Sequence, residues 1–436
     1  VASAPLAPPN DPSLFLSYAG MVQFKDVFVG EESRPYSRAT TAQKVMRVSG
    51  KHNDLEEVGR TTRHHTFFEM LGNFSFGDYF KETAIELAWK YVIDVVGMPR
   101  ERIWVTVFGG EDGIPADSEA RDLWKKISGL SDDRILDMGK EENFWSMGNT
   151  GPCGPCSEIH FDTGSGPVTP ADFESGRVME FWNLVFMQFQ RCDDGRMEPL
   201  PAPSVDTGMG LERLAALLDG VDSTFHTDAF LPIILDTAER AGKTYKRGNS
   251  EDEVSLRVIA DHARATAFLV ADNVRPGNGT RPYVMRRIMR RAIRHGRRLG
   301  FDDLFFHHAC DQVVELMGDA YPELREARSL ITKVAQAEET SFRRTLDTGL
   351  RLLERELVSA EDSRELSGKS VFTLYDTYGF PRDLTQTIAD ERGYTIDHAG
   401  FDAEMKKQRE GGAGGSVGDA AIGEDYKKLA QDISEV

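Results

Sequence analysis

The chain is poor in cysteine, in long apolar runs and in positive charge. Four cysteines among 436 residues do not make a disulfide framework, which favours a reducing compartment. No apolar stretch approaches the roughly 18–20 residues that cross a bilayer, so no membrane-spanning helix is expected. The opening residues, VASAPLAPPNDP, lack the charged and apolar regions of a signal peptide, and the chain starts at Val1 rather than Met, so it reads as a fragment or a processed product. A formal net charge of −19 argues against nucleic-acid binding by the whole surface, but leaves room for a local basic face. Against these deficits, 40% hydrophobic and 28% charged residues are ordinary for a globular chain. The length suits about two or three domains with a large core.

Thr41 to Lys81 concentrates cations, histidines, carboxylates and aromatics. Alternation predicts strands over 43–49 and 65–71, joined by a charged loop from Gly50 to Arg63. Arg47, His65 and Glu69 then share one face of the strand pair, where a permanently charged, planar guanidinium suits a phosphate. His64 and His65 are adjacent and must point to opposite faces of a strand, which assigns His65 to the site and His64 to the structure. Farther on, Glu82–Val96 and Ala120–Ile127 have helical spacing, while Ile103–Phe108 and Glu180–Arg191 are strand-like. Strands without regular βαβ alternation indicate an α+β fold with an antiparallel sheet, spanning 1–230. Long helical patterns occupy 231–410, and a Gly-rich tract fills 411–436.

Single motifs are ambiguous. GPCGPC holds Cys153 and Cys156, but the other cysteines are scattered and two prolines flank the pair, so a rigid loop is expected rather than zinc or redox chemistry. The run DTGMGLER, Asp206 to Arg213, is neither a dinucleotide fingerprint nor a P-loop. Its glycines still let a ligand approach a helix start closely, with Arg213 available to a base or phosphate and Asp206 to an ammonium. Trp145, Trp182 and Met187 suit a core, whereas Asn183, an amide within FWNLVF, is either internal glue or a ligand contact. Arg281 to Arg298 carries eight arginines, with Arg286, Arg290 and Arg294 in one stripe. In so acidic a chain, that stripe suggests a nucleic-acid backbone.

Taken together and in order, NDPSLFLSYAGMVQFKDVF, RHHTFFEMLGNFSFGDYFK, NFWSMGNTGPCGPCSEIH, EFWNLVFMQF, SVDTGMGLER, YVMRRIMRRAIRHG and LYDTYGFPRDLT resemble the alanyl-tRNA synthetase family within class II aminoacyl-tRNA synthetases. The resemblance covers nearly all of positions 10 to 410. It implies the class II antiparallel sheet flanked by helices, followed by a helical tRNA-recognition domain. It further implies ATP-dependent activation of L-alanine, then transfer to the 3′ end of tRNA(Ala), read through an acceptor-stem G·U pair. By the same resemblance, Arg47 and Arg213 are catalytic, and ATP also meets His65, Trp145, Phe181, Trp182, Asn183 and Gly210. Asn183 and Asp206 bind alanine, with Asp206 on the ammonium. Asn278 and Asp376, besides the arginine stripe, read tRNA. Mg²⁺ accompanies ATP, and no zinc is expected because the family's editing and C-terminal segments do not follow here. A cytoplasmic or organellar monomer, or weak dimer, completes these expectations. The competing readings are a paralogue that passes its amino acid to another acceptor, and an RNA-binding protein without catalysis.

Overall fold

The computed structural model describes residues 1–8, 15–49, 52–148, 150–277, 280–378 and 380–411. The chain divides into two compact units, Val1–Leu235 with Lys246–Arg257, and Asp236–Tyr245 with Val258–Val436.

The first unit is built on an eight-stranded sheet. Its strands are β1 (Arg38–Met46), β2 (Phe67–Ser75), β3 (Ile103–Phe108), β4 (Ile135–Met138), β5 (Phe144–Ser146), β6 (Gly151–Asp162), β7 (Val178–Arg191) and β8 (Met197–Gly210). Their order is β1-β2-β8-β7-β6-β3-β4, with β5 pairing β6. All neighbours are antiparallel except β3 and β4. This is the α+β class expected from the sequence.

Helices α1 (Lys81–Lys90) and α2 (Ser118–Ser128) pack on one face. Ile85, Ala88 and Trp124 meet Val105, Leu184, Phe186 and Val205 there. On the other face Val185 and Met187 pack with Phe24, Phe74 and Cys156. β7 is therefore buried on both sides, which is why EFWNLVFMQF is nearly continuous in apolar residues rather than alternating. Asp117 caps α2 by accepting from the Ala120 amide at 3.1 Å, and the same oxygen meets Lys81 Nζ at 2.6 Å.

GPCGPC is not a loop. It forms the start of β6, and a register shift between Cys153 and Cys156 accommodates its prolines. A side chain at Gly154 would run into the Phe186 carbonyl, so glycine is what lets β6 lie against β7 at that point. Both strands around Arg47 are also displaced from expectation: β1 ends at Met46 and β2 begins at Phe67.

The second unit is helical. α3 (Leu231–Arg240) and α4 (Glu251–Ala271) have residues in both units; α5 (Thr280–Leu299), α6 (Phe306–Met317), α7 (Arg328–Ser359), α8 (Gly368–Asp376), α9 (Arg382–Glu391) and α10 (His398–Gly411) follow. The arginine stripe expected to face a partner lies inward here. Arg286, Arg290 and Arg294 are all buried. Arg290 Nε lies 2.6 Å from Glu338 of α7, Arg286 Nε lies 3.9 Å from the same carboxylate, and Arg294 grips Glu391 of α9 with Nη1 3.2 Å from Oε1. Helices on several sides enclose α5, and their carboxylates satisfy the stripe from within. Of the eight arginines, Arg286, Arg290, Arg291 and Arg294 are thus buried in the unit, while Arg298 stays exposed. Most of the Gly-rich tract, 412–436, lies outside the described residues.

Candidate functional site

Three adjacent central strands place Glu158, Asn183 and Gly208 opposite one another across the sheet. Period two puts Asp206 on the same side as Gly208. Asn183 Nδ2 donates to Glu158 Oε1 at 3.2 Å, and His160 Nε2 lies 3.2 Å from the second oxygen of that carboxylate. Burial, then the charge of Glu180, raises the Glu158 pKa. Asp206 differs from every other carboxylate here. It is 6% exposed, takes no hydrogen bond or ion pair among the described residues, and burial alone raises its pKa to about 7.

Tyr18 borders this carboxylate. Its hydroxyl donates to the Met147 carbonyl at 2.8 Å, and its own carbonyl accepts from Arg47 Nε at 3.2 Å. Burial chiefly raises its pKa to about 12; Arg47 opposes the shift and Asp206 adds to it. Arg47 also lies over the Phe68 ring at 5.3 Å. Trp145, in β5, packs half-buried against the Val185–Met187 side of the sheet, the side that carries Asn183.

The cations gather around Glu180. Arg213, near the start of the helix Leu211–Asp219, donates from Nη1 to the Glu180 carbonyl at 2.9 Å and to its carboxylate at 2.7 Å. Burial lowers the pKa of Arg47, with Arg213 adding to the effect and Asp54 and Glu180 opposing it. Arg63 is lowered by burial and by Arg213, with Glu180 opposing. His64 is held neutral, its pKa lowered to about 3 by burial and then by Arg213 and Arg63. Beside this cluster opens a cavity of about 860 Å³, with Arg63, Glu158, His160 and Glu180 facing Trp104 and Phe173.

Arg47, Arg213, Asn183, Asp206 and Trp145 therefore come to one side of the first unit's sheet or its rim. His65 does not join them by strand alternation, because it precedes β2. Its Nε2 lies 2.7 Å from Thr224 Oγ1 and its ring stacks on Phe230 at 4.5 Å, so it packs in an aromatic cluster while His64 takes the place beside Arg213. Phe181 and Trp182 are buried in the apolar core, Trp182 edge-on to Tyr91 at 5.7 Å, and support the sheet from behind. Gly210 caps the Arg213 helix with ordinary extended dihedrals. Asp376 is exposed as the last residue of α8, and Asn278 lies outside the described residues. Sequence reasoning passed over Tyr18, Arg63, Glu158 and Glu180, and set His64 aside as structural. The two glutamates did leave a signal, since each is a carboxylate within strand-like wording, Glu158 in SEIHF and Glu180 in VMEFW.

A nearly antiparallel sheet, cationic at one rim and carrying an unpaired buried carboxylate, defines the class. The chain belongs to the tRNA synthetases class II (A) family, whose model matches residues 1–434. Relatives named alanine–tRNA ligase resemble it throughout. That of Myxococcus xanthus is 52% identical over 99% of this chain and 49% of its own length. That of Anaeromyxobacter sp. is 51% identical over 100% and 51%, and that of Nitratidesulfovibrio vulgaris 52% identical over 94% and 47%. The chain thus spans about half the length of the curated relatives it matches. A solved apo S. aureus histidyl-tRNA synthetase aligns over 52% of this chain and 63% of its own at 11% identity, with a TM-score of 0.27, too weak a likeness to add to the sheet order above.

Proposed function

We propose that this chain carries out alanine activation for an alanine–tRNA ligase: L-alanine and ATP form alanyl-adenylate and pyrophosphate, and the alanyl group passes to the 3′ end of tRNA(Ala). The observation that carries this reading is Asp206, a buried carboxylate without a partner. An ammonium bound beside it restores its ionised form and supplies the missing hydrogen bonds. Asn183 lies on the same side of the sheet, two strand positions from the Asp206 partner Val185.

In the first step an alanine carboxylate oxygen attacks the α-phosphorus in line, and the bond to the β-phosphate oxygen breaks as pyrophosphate leaves. Arg47, held by the Tyr18 carbonyl and by Phe68, faces the charge that develops on the α-phosphate. Arg213 serves the nucleotide from beside Glu180, in the same cationic cluster. No covalent link to the protein is needed; positioning and fixed positive charge do the work. His64 beside Arg213 is a better candidate than His65 for contact with the nucleotide, and Trp145 and Gly210 border the same space. Mg²⁺ bound with ATP supplies charge neutralisation. Such an ion would be held mainly by the phosphates, with Glu158, whose pKa burial and the charge of Glu180 raise, as the nearby carboxylate.

The second unit takes the role of acceptor-stem reader, through exposed Asp376 and through Asn278 rather than through the buried arginine stripe. We assign the whole to the cytoplasm, as a monomer or weak dimer; no helix among the described residues is long and apolar enough to cross a membrane. The deciding experiment is alanine-dependent ATP–pyrophosphate exchange. No exchange with alanine, or equal exchange with unrelated amino acids, would reject the reading. Charging of tRNA with and without an acceptor-stem G·U pair tests the second step and separates a tRNA ligase from a paralogue with another acceptor.

A further inference from the structure

Arg213 is gripped from one end only. Nη1 gives one hydrogen to the Glu180 carbonyl and the other to its carboxylate, while Nε and Nη2 have no partner among the described residues. Nε–H and Nη2–H lie along one edge of the planar guanidinium, the edge that meets two oxygens of a phosphate side by side. The Glu180 and Arg213 side chains keep 34% and 19% exposure, and Glu180 lines the cavity of about 860 Å³. The same carboxylate acts on Arg47, Arg63 and His64. Without it, the repulsion between Arg213 and Arg47 or Arg63 turns the guanidinium groups away from one another and toward water.

We propose that Glu180 is the positioning residue for Arg213: it turns the guanidinium so that its Nε–Nη2 edge meets the phosphate oxygens of the nucleotide, and it holds the arginine cluster together before the nucleotide arrives. This rests on the nucleotide-activation reading above. Glu180 itself touches no reacting atom.

The test compares the whole chain with Glu180→Ala, Glu180→Gln, Arg213→Ala and the Glu180→Ala/Arg213→Ala double variant. Readouts are KM for ATP, KM for alanine and kcat in pyrophosphate exchange, with ATP binding measured directly by calorimetry. Glu180→Ala should weaken ATP about tenfold or more while KM for alanine stays within about twofold. Glu180→Gln, whose amide oxygen still accepts from Nη1 but carries no charge to offset the repulsion among the arginines, should lose clearly less than Glu180→Ala, about threefold. The double variant should be no worse than Arg213→Ala, because Glu180 acts through Arg213. Additive losses in the double variant, a Gln variant as damaged as the Ala variant, or an equal shift in alanine and ATP would each overturn the proposal. A thermal melt checks folding, and if Glu180→Ala does not fold, Glu180→Asp takes its place in the same cycle. Exchange by the wild-type chain reports on the function alone; were it absent, the ATP-binding arm still decides the role of Glu180.

Discussion

Asp206→Asn separates the cost of burying a carboxylate from the use made of it. Burial raises this pKa from 3.8 to about 7. At about 1.4 kcal/mol per factor of ten, the rise corresponds to about 4 kcal/mol of stability withheld from the empty protein once both states are ionised. Between about pH 4 and 7 the folded chain keeps a proton that the unfolded chain has released. The stability linked to this group is therefore complete below 3.8 and lost as pH rises through about 7. Asparagine is neutral throughout and close in shape. Its under-bonded amide costs about 1–2 kcal/mol, which leaves a net gain of about 2 kcal/mol at about pH 8. Urea unfolding at a series of pH values should show that gain disappear toward about pH 4. In exchange assays the variant should lose roughly 2–5 kcal/mol of alanine binding, with KM for ATP changed less than about threefold. Wild-type KM for alanine should rise about tenfold per pH unit below about pH 7, whereas the variant stays flat. A variant no more stable than wild type at about pH 8, with alanine and ATP affected equally, would refute the reasoning.

Arg47→Ala should slow exchange by about 3 kcal/mol or more, roughly a hundredfold, by loss of one preorganised charge-stabilising donor; steady-state rates check this, and a change under about tenfold would remove Arg47 from the mechanism. His65→Ala should destabilise the chain by about 2–3 kcal/mol through loss of Thr224 and of the Phe225 and Phe230 ring contacts. Its KM for ATP should stay near wild type, and a large rise without loss of stability would restore the nucleotide role. Glu338→Ala leaves Arg290 buried and unpaired, so denaturant unfolding should show a loss of about 3–5 kcal/mol. If Arg290→Ala instead leaves stability intact and lowers the salt dependence of tRNA binding, the inward reading of that helix is wrong.

Where element and role depend on neighbours in sequence, the sequence was legible. IWVTVF is β3 over the expected residues, EFWNLVFMQFQR lies within β7, and the glycines of DTGMGLER do end a strand and open a helix at Leu211. GPCGPC was misjudged because proline and glycine are weighed as turn formers. A register shift and the close passage of the Phe186 carbonyl make them strand residues instead. For His65 the period-two argument was applied two residues before its strand begins. For the arginine stripe, spacing shows that side chains align, but not what they face.

By itself, then, the sequence determined the α+β class, the family and the residue types at the site: the arginines, the amide of Asn183 and the carboxylate of Asp206. These follow from short-range propensity and from motif order, which are written into a few adjacent residues. Only the tertiary structure decided which groups act together. Arg213 meets Glu180 from 33 positions away, Arg47 is fixed by the carbonyl of Tyr18, and Asp206 is left alone beneath the sheet's surface. Burial and pairing of charge depend on strands and helices brought together across the chain, and no local pattern carries that information.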